Sequence, residues 1–380
     1  MLIDNISIII SIIGLLLTTV SIVANPFFRS VGQSKSNDDK RVALPPFTIV
    51  VLSLRNSDEL EKHLPTLLAQ HYEPGYEVVV VGEKGDLDIE AVIGKYSSDH
   101  KLYATYIPKR SLFMSKPKLA ASLGIKAAHN EWIVMLDDLS EPASELWLKS
   151  IAENIDENTN LVIGYSNYNE GINLYRRFIR LREACYRLRS ATKGMAYRST
   201  GTNVAFKRSE FIASDGYRGN LQHVFGEYDF IVNKFARRES SAIAMSPESF
   251  IFEDCPTKKK WKERCIADYH VGRQLARNGR MRAIHKADNI LLYLNYAAII
   301  SAILFGIATY RYIAVAIGGI CLITTLALRI WLVKKKCRIF TMSIPAWRIP
   351  FYELSVAWFD TITRLRYAKA DKHDFSTHKI

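Results

Sequence analysis

The sequence predicts an α/β protein: a doubly wound, mostly parallel sheet, with one transmembrane helix before it and two after it. Three observations carry that expectation. Strand-length runs of β-branched residues alternate with amphipathic helical stretches, the pattern of βαβ units. Three apolar stretches are long enough for a bilayer. Basic residues cluster at one end of each, which orients the chain.

The first apolar stretch, Ile6 to Val23, carries Ser, Thr and Gly but no charge. As a helix it spans about 27 Å. A cleaved signal peptide is the rival reading, but only Asp4 precedes the stretch and Ile22 is a poor cleavage residue. An uncleaved anchor over 1–29 is expected. Ile290 to Ala308 and Tyr312 to Leu328 form the other two spans, in a segment 289–334. Arg29, Lys35, Lys40 and Arg41 follow the first span, Arg280, Arg282 and Lys286 precede the second, and Lys334, Lys335, Lys336 and Arg338 follow the third. Only Arg311 sits in the link between spans two and three. The positive-inside rule then places the soluble part and the tail, 335–380, in the cytoplasm. Arg329 is expected to snorkel to headgroups. In the tail, Phe351, Leu354, Trp358, Ile362 and Leu365 recur every three or four residues opposite Glu353, Asp360 and Arg364. That face suits the membrane interface or packing on the soluble domain.

The formal charge of +13 over 380 residues points to anionic partners. With no arginine-rich arm or zinc spacing, no nucleic acid is expected; acidic lipids and phosphorylated small molecules remain. The five cysteines form no CxxC pair and read as reduced thiols.

After a polar linker, 30–46, the domain 47–288 opens with the strand "FTIVVLSL", a continuous apolar run suited to a covered parallel sheet. "SDELEKHLPTLLAQ" is a helix, "YEVVVVGE" and "KLYATYI" strands, "KPKLAASLGIKAAHN" a helix and "EWIVMLDD" a strand. In such sheets ligands sit beyond the carboxyl ends of the strands. Those ends carry Ser53, Arg55 and Asn56, then Glu83 and Asp86, then Asp137 and Asp138. Acidic strand ends in a basic protein would suit a metal–phosphate complex. The plain alternative for Asp137 and Asp138 is the polar cap of a turn. The helix "LYRRFIRLREACYRLRS" carries six arginines beside an apolar stripe, which suits anionic headgroups.

The stretch from Phe47 to about Val271 resembles a family 2 glycosyltransferase with the Rossmann-like GT-A fold. The resemblance lies in "VVLSLRNSDELEKHLPTLLAQHY", in "KLAASLGIKAAHNEWIVMLDDLSEPASELWL", in "GTNVAFKRSEF" and in "GEYDFIVNKFA". The ending "LRYAKADKHDF" resembles membrane-bound members from Bacteroidetes-like bacteria. The resemblance implies an inverting transfer of a sugar from a nucleotide diphosphate sugar to a lipid-linked or glycan acceptor, at the cytoplasmic face of a bacterial inner membrane. It implies Mg or Mn on Asp137, with Asp138 replacing the family's second aspartate, whose place Leu139 takes. Glu227, then Asp229, would be the general base; acids in a first helical turn also simply favour the helix dipole. Arg55, Asn56, Glu59, Glu83 and Asp86 would form the nucleoside pocket, and Lys118 would contact the donor phosphates. Asn203 and Arg264 would lie on the acceptor side, Arg264 in a cationic cluster with Lys259 and Lys260. The family's Gln-x-x-Arg-Trp motif is missing from "KKKWKERCIADYH". A non-catalytic relative acting as a binding module is the alternative reading.

Overall fold

The structure is a computed structural model that describes residues 5–31, 43–54, 56–111, 113–171, 173–194, 196–237, 240–254 and 256–376. Arg55, Cys255 and most of the expected linker lie outside the described residues. The chain divides into two compact units, Met1–Ser30 with Gly279–Ile362, and Val31–Asn278 with Thr363–Ile380.

The first unit holds α1 (Asn5–Ala24) and, from the far end of the chain, most of α10 (Asn278–Ala308), α11 (Tyr312–Ile339) and the larger part of α12 (Arg348–Lys369). The first three are long and apolar enough to cross a membrane. The helices α10 and α11 outrun the expected spans, because the charged flanks continue the helix beyond the apolar run. Arg329 does not snorkel. Its Nε donates to Glu353 at 3.0 Å and its Nη1 to the Ser21 carbonyl and hydroxyl at 3.1 and 2.9 Å, with Asp288 3.5 Å from Nη2. Burial makes two carboxylates better partners for the guanidinium than a distant interface. Asn295 adds a polar bridge, accepting from Thr18 and donating to Thr325. On α12 the expected apolar face is exposed at Phe351, Trp358, Ile362 and Leu365, while Glu353 turns inward.

In the second unit, β1 (Phe47–Leu52), α2 (Ser57–Leu68), β2 (Tyr76–Glu83), α3 (Leu87–Lys95), β3 (Leu102–Ile107), α4 (Lys116–Ala127) and β4 (Trp132–Asp137) follow one another. Then come β5 (Ser140–Pro142), α5 (Trp147–Ala152), β6 (Leu161–Gly164), β7 (Ser166–Tyr168), α6 (Leu174–Thr192), β8 (Val204–Lys207), α7 (Arg208–Ala213), α8 (Glu227–Phe235), β9 (Ser241–Ala244), β10 (Ile251–Glu253) and α9 (Lys258–Gln274). Seven strands form one sheet in the order β3-β2-β1-β4-β8-β6-β9; β8 alone runs against its neighbours. Register sets Leu52 opposite Val81 and Asp137, so the carboxyl ends of β1, β2 and β4 share one edge. The core lies where β1, β2 and β4 meet α2, α3 and α5, around Leu64, Val78, Val134 and Trp147. On the other face α4 packs so closely that a Cβ on Gly124 would fall 2.5 Å from Val50.

A second, three-stranded sheet, β5-β10-β7, was not legible in the sequence, since each strand has only three residues. The arginines of α6 are spent inside the unit rather than on headgroups. Arg180 pairs with Glu253, Arg187 with Glu183, and Arg176 donates to the Pro256 carbonyl and covers Trp261, while Arg177 and Arg182 are buried.

The end of the chain packs on this unit. Val224 N donates to the Phe375 carbonyl, and His270 stacks on Phe375 and lies 3.2 Å from the Tyr367 hydroxyl. Burial, helped by Lys118 and His270, pushes the His223 imidazole down to about 4. A histidine with a depressed folded pKa binds its proton less readily than in the unfolded chain. Stability is therefore full above the ordinary value and falls as pH drops from about 6.5 towards 4. The melting temperature of the wild type should fall through that window, and less steeply in His223→Asn; equal slopes would remove this account.

Candidate active site

Asp137 closes β4, and Ser140, three residues on, donates its hydroxyl to Asp137 Oδ1 at 2.5 Å. The Arg264 Nη2 of α9 lies 3.6 Å from Asp137 Oδ2, while its Nη1 donates to Glu253 Oε2 at 3.2 Å. Arg180 grips the same Glu253 with both terminal nitrogens, one of them at 2.8 Å. The result is a chain of alternating charge, Asp137–Arg264–Glu253–Arg180, at the carboxyl edge of the sheet. Gly201 makes room for it: a Cβ there would lie 2.2 Å from Arg180 Nη2 and 2.9 Å from Glu253 Oε1. Burial raises the Asp137 carboxyl above its ordinary value and Glu253 adds to it, outweighing Arg264 and Ser140. For Glu253 burial acts upward too, but two guanidinium groups win and hold it low.

Glu227 begins α8 directly after Gly226, whose left-handed backbone (φ 93°) turns the chain into the helix. Burial raises the Glu227 carboxyl; Lys118 and Arg264 oppose this and Asp137 adds to it. Glu227 thus feels the charges of Asp137 and Arg264. Tyr228 joins them. Its hydroxyl is closed to water, without a hydrogen-bond partner among the described residues. Burial first, then Asp137, Glu227 and Glu253, push its pKa well above the phenol range.

Other expected site residues are placed differently. Asp229 is occupied by protein partners: it accepts from Arg198 Nε at 2.6 Å and from the Ser199 hydroxyl and amide at 2.7 and 3.1 Å. Lys118 is fully buried and donates to the carbonyls of Asn220 and His223 at 2.7 and 2.5 Å, so it anchors a loop instead of reaching phosphates. Burial pulls its ammonium down to about 8. Asn203 is a bracket, donating to the Tyr165 and Ser249 carbonyls at 3.0 and 2.7 Å. Asp86 caps α3 through the Ile89 amide, and Glu83 takes Lys116 at 2.5 Å. Asn56 is the residue before α2, with no side-chain capping bond. On α2, Glu59 meets His63 and Asp254, and burial with Asp254 raises its carboxyl. The structure therefore brings Asp137 and Arg264 together, with Asp138 adjacent in sequence and Glu227 within electrostatic reach, and gives Asp86, Lys118, Asn203 and Asp229 structural partners. Sequence reasoning missed Glu253, Arg180 and Tyr228. Only the interruption of the acidic run by Tyr228 was a signal.

The metal expected at Asp137 and Asp138 fits their chemistry. Two adjacent carboxylates stand at a strand end, and their hard oxygens are the ligand type that Mg or Mn takes. Leu139 offers no ligating side chain.

No protein-family model and no curated protein matches the sequence. Solved structures do. The mannosyltransferase PcManGT from Pyrobaculum calidifontis, in complex with GDP-Man and Mn2+, matches with a TM-score of 0.52 at 15% identity, over 87% of this chain and 99% of that one. S. aureus TarS 1–349 in complex with UDP-GlcNAc matches with a TM-score of 0.42 at 12% identity, over 78% of this chain and 89% of that one. The first likeness shows the architecture: this chain has the mixed α/β, mostly parallel-sheet fold of GT-A glycosyltransferases, with three candidate membrane-spanning helices.

Proposed function

We propose that the protein is a membrane-anchored, inverting family 2 glycosyltransferase that moves a sugar from a nucleotide diphosphate sugar to a lipid-linked or glycan acceptor. Its soluble unit would work at the cytoplasmic face of a bacterial inner membrane, with polysaccharide synthesis the natural setting. The observation that carries this reading is the pairing of Asp137 with Arg264 at the carboxyl end of β4, with Glu227 within electrostatic reach of both. The fold shared with a mannosyltransferase bound to GDP-Man and Mn2+ supports it.

Asp137 with Asp138 would hold Mg or Mn, which supplies charge neutralisation for the leaving diphosphate. Arg264 would swing its exposed part from Asp137 to a phosphate, since a guanidinium suits phosphate oxygens in pairs. Glu227 would take the proton from the acceptor hydroxyl as that oxygen attacks the sugar carbon. Glu253 and Arg180 would hold the Arg264 stem in place. The ends of β1 and β2, with Asn56 and Glu83, would flank the nucleoside. One observation favours a non-catalytic binding module instead: Arg264 lies against Asp137, on the side a metal would use.

The test is thermal stabilisation of the detergent-purified protein by UDP, GDP and dTDP, with and without Mn. One nucleotide should stabilise only with Mn, by about 2.7 kcal/mol at a hundredfold excess over Kd, and the effect should vanish in Asp137→Ala. No shift with any nucleotide rules out the transferase.

A further inference from the structure

We propose a second divalent-cation site, built from Glu59 and His63 of α2 and Asp254 beyond β10, which takes zinc-like ions. It is independent of the transferase reading. One ligand atom from each of the three residues lies within 4.8 Å of the others. His63 Nε2 is 3.1 Å from Asp254 Oδ2 and 3.6 Å from Glu59 Oε2. Around a metal with bonds of about 2.1 Å, neighbouring ligand atoms stand about 3.0 Å apart in an octahedron and about 3.4 Å in a tetrahedron. The two measured edges, 3.1 and 3.6 Å, are each slightly longer than one of those values.

Three further observations point to a cation. His63 is 2% exposed, so its nitrogen is delivered into the cluster by a buried side chain. Glu59 Oε2 is closed to water and accepts no hydrogen bond among the described residues. His63 Nδ1 is buried, makes no hydrogen bond among the described residues and lies 3.6 Å from Glu141 Oε2, a carboxylate near enough to orient the ring once Nε2 ligates a metal.

Charge agrees. Glu59, Asp254 and Glu141 bring three negative charges and Lys62, which donates to Asp254, one positive, leaving two negative charges around a neutral imidazole. A divalent ion balances them. Asn169 donates to Asp254 Oδ1 at 2.8 Å and fixes the carboxylate, while Lys62 Nζ and His63 Nε2 both meet Oδ2, the oxygen a cation would take over from Lys62. One nitrogen and two carboxylate oxygens suit zinc or cobalt above magnesium. Glu59 then tethers the start of α2 to the β10 edge instead of touching a nucleoside.

The full chain, purified in detergent and stripped of metal, is titrated with ZnCl2 and separately with CoCl2. The Asp137→Ala protein should still bind one zinc. His63→Gln should bind it about a hundredfold more weakly, and Glu141→Gln about tenfold. The visible absorption of the cobalt form should be lost in His63→Gln. Glu59→Gln, isosteric and partly exposed, repeats the test without emptying the core, and its unchanged melting temperature without metal certifies the fold. Zinc binding that disappears with Asp137 would overturn the proposal, and so would binding that survives both His63→Gln and Glu59→Gln unchanged. Hydrogen bonds from Lys62 and between His63 and Asp254 would then account for the cluster.

Discussion

Glu227→Gln should slow sugar transfer by about 100- to 10,000-fold, the usual contribution of a positioned general base, and leave Mn-dependent nucleotide binding intact. The amide keeps the shape at the start of α8 but cannot accept a proton. The split matters: loss of turnover with nucleotide stabilisation retained separates a base from a residue that merely shapes the pocket. The pH profile gives a second readout. Burial holds the Glu227 carboxyl above its ordinary value of 4.5. The base works ionised, so kcat/KM should fall as pH drops through that raised value, and the acidic limb should lie higher than for an exposed glutamate. Asp229→Asn provides the contrast. Arg198 and Ser199 occupy that carboxylate, so its loss should lower stability and turnover together, without moving the acidic limb. Activity of Glu227→Gln within a few-fold of wild type would assign the base elsewhere.

The sheet was legible because its strands are long and buried on both faces: "FTIVVL" and "YEVVVVGE" permit no solvent-facing alternation, and register then carries Asp137 to the ligand edge. The three helices long and apolar enough to span a membrane were legible for a similar reason, since a bilayer imposes a minimum apolar length. Partners were not. Nothing in the linear order says that Arg180, in a helix rich in arginine, closes on a glutamate 73 residues later. Nor does an exposed-looking lysine such as Lys118 announce that two loop carbonyls will bury it. Long-range pairing also explains Arg329, whose partners Ser21, Asp288 and Glu353 come from three other helices of the membrane unit. Short strands were lost too: β5, β7 and β10 pair only because the larger sheet has already brought them together, yet they position Ser140 and Glu253.

Glu253→Gln should destabilise the second unit by about 3–5 kcal/mol, the range for removing one member of a buried ion pair. Glu253 is 1% exposed and is the shared acceptor of Arg180 and Arg264. Its amide replacement strands the Arg180 guanidinium, whose side chain is 14% exposed, with no full counter-charge. Arg264 is 38% exposed and can relax towards solvent or towards Asp137, so most of the cost should fall on Arg180. The sign of the acid response follows. The two guanidinium groups hold the folded Glu253 pKa below 4.5, so its contribution is complete above that pH and is lost as pH falls through the folded value. Denaturant titration of wild type and Glu253→Gln at pH 7 and pH 4 measures both effects. The gap should be largest at pH 7 and narrow at the lower pH. The paired change Arg180→Met with Glu253→Gln should cost less than the sum of the single changes, because it removes the stranded charge along with its partner. Additive costs would mean that the two residues stabilise the unit separately, and the charge chain behind Asp137 would then be a row of neighbours, not a coupled support.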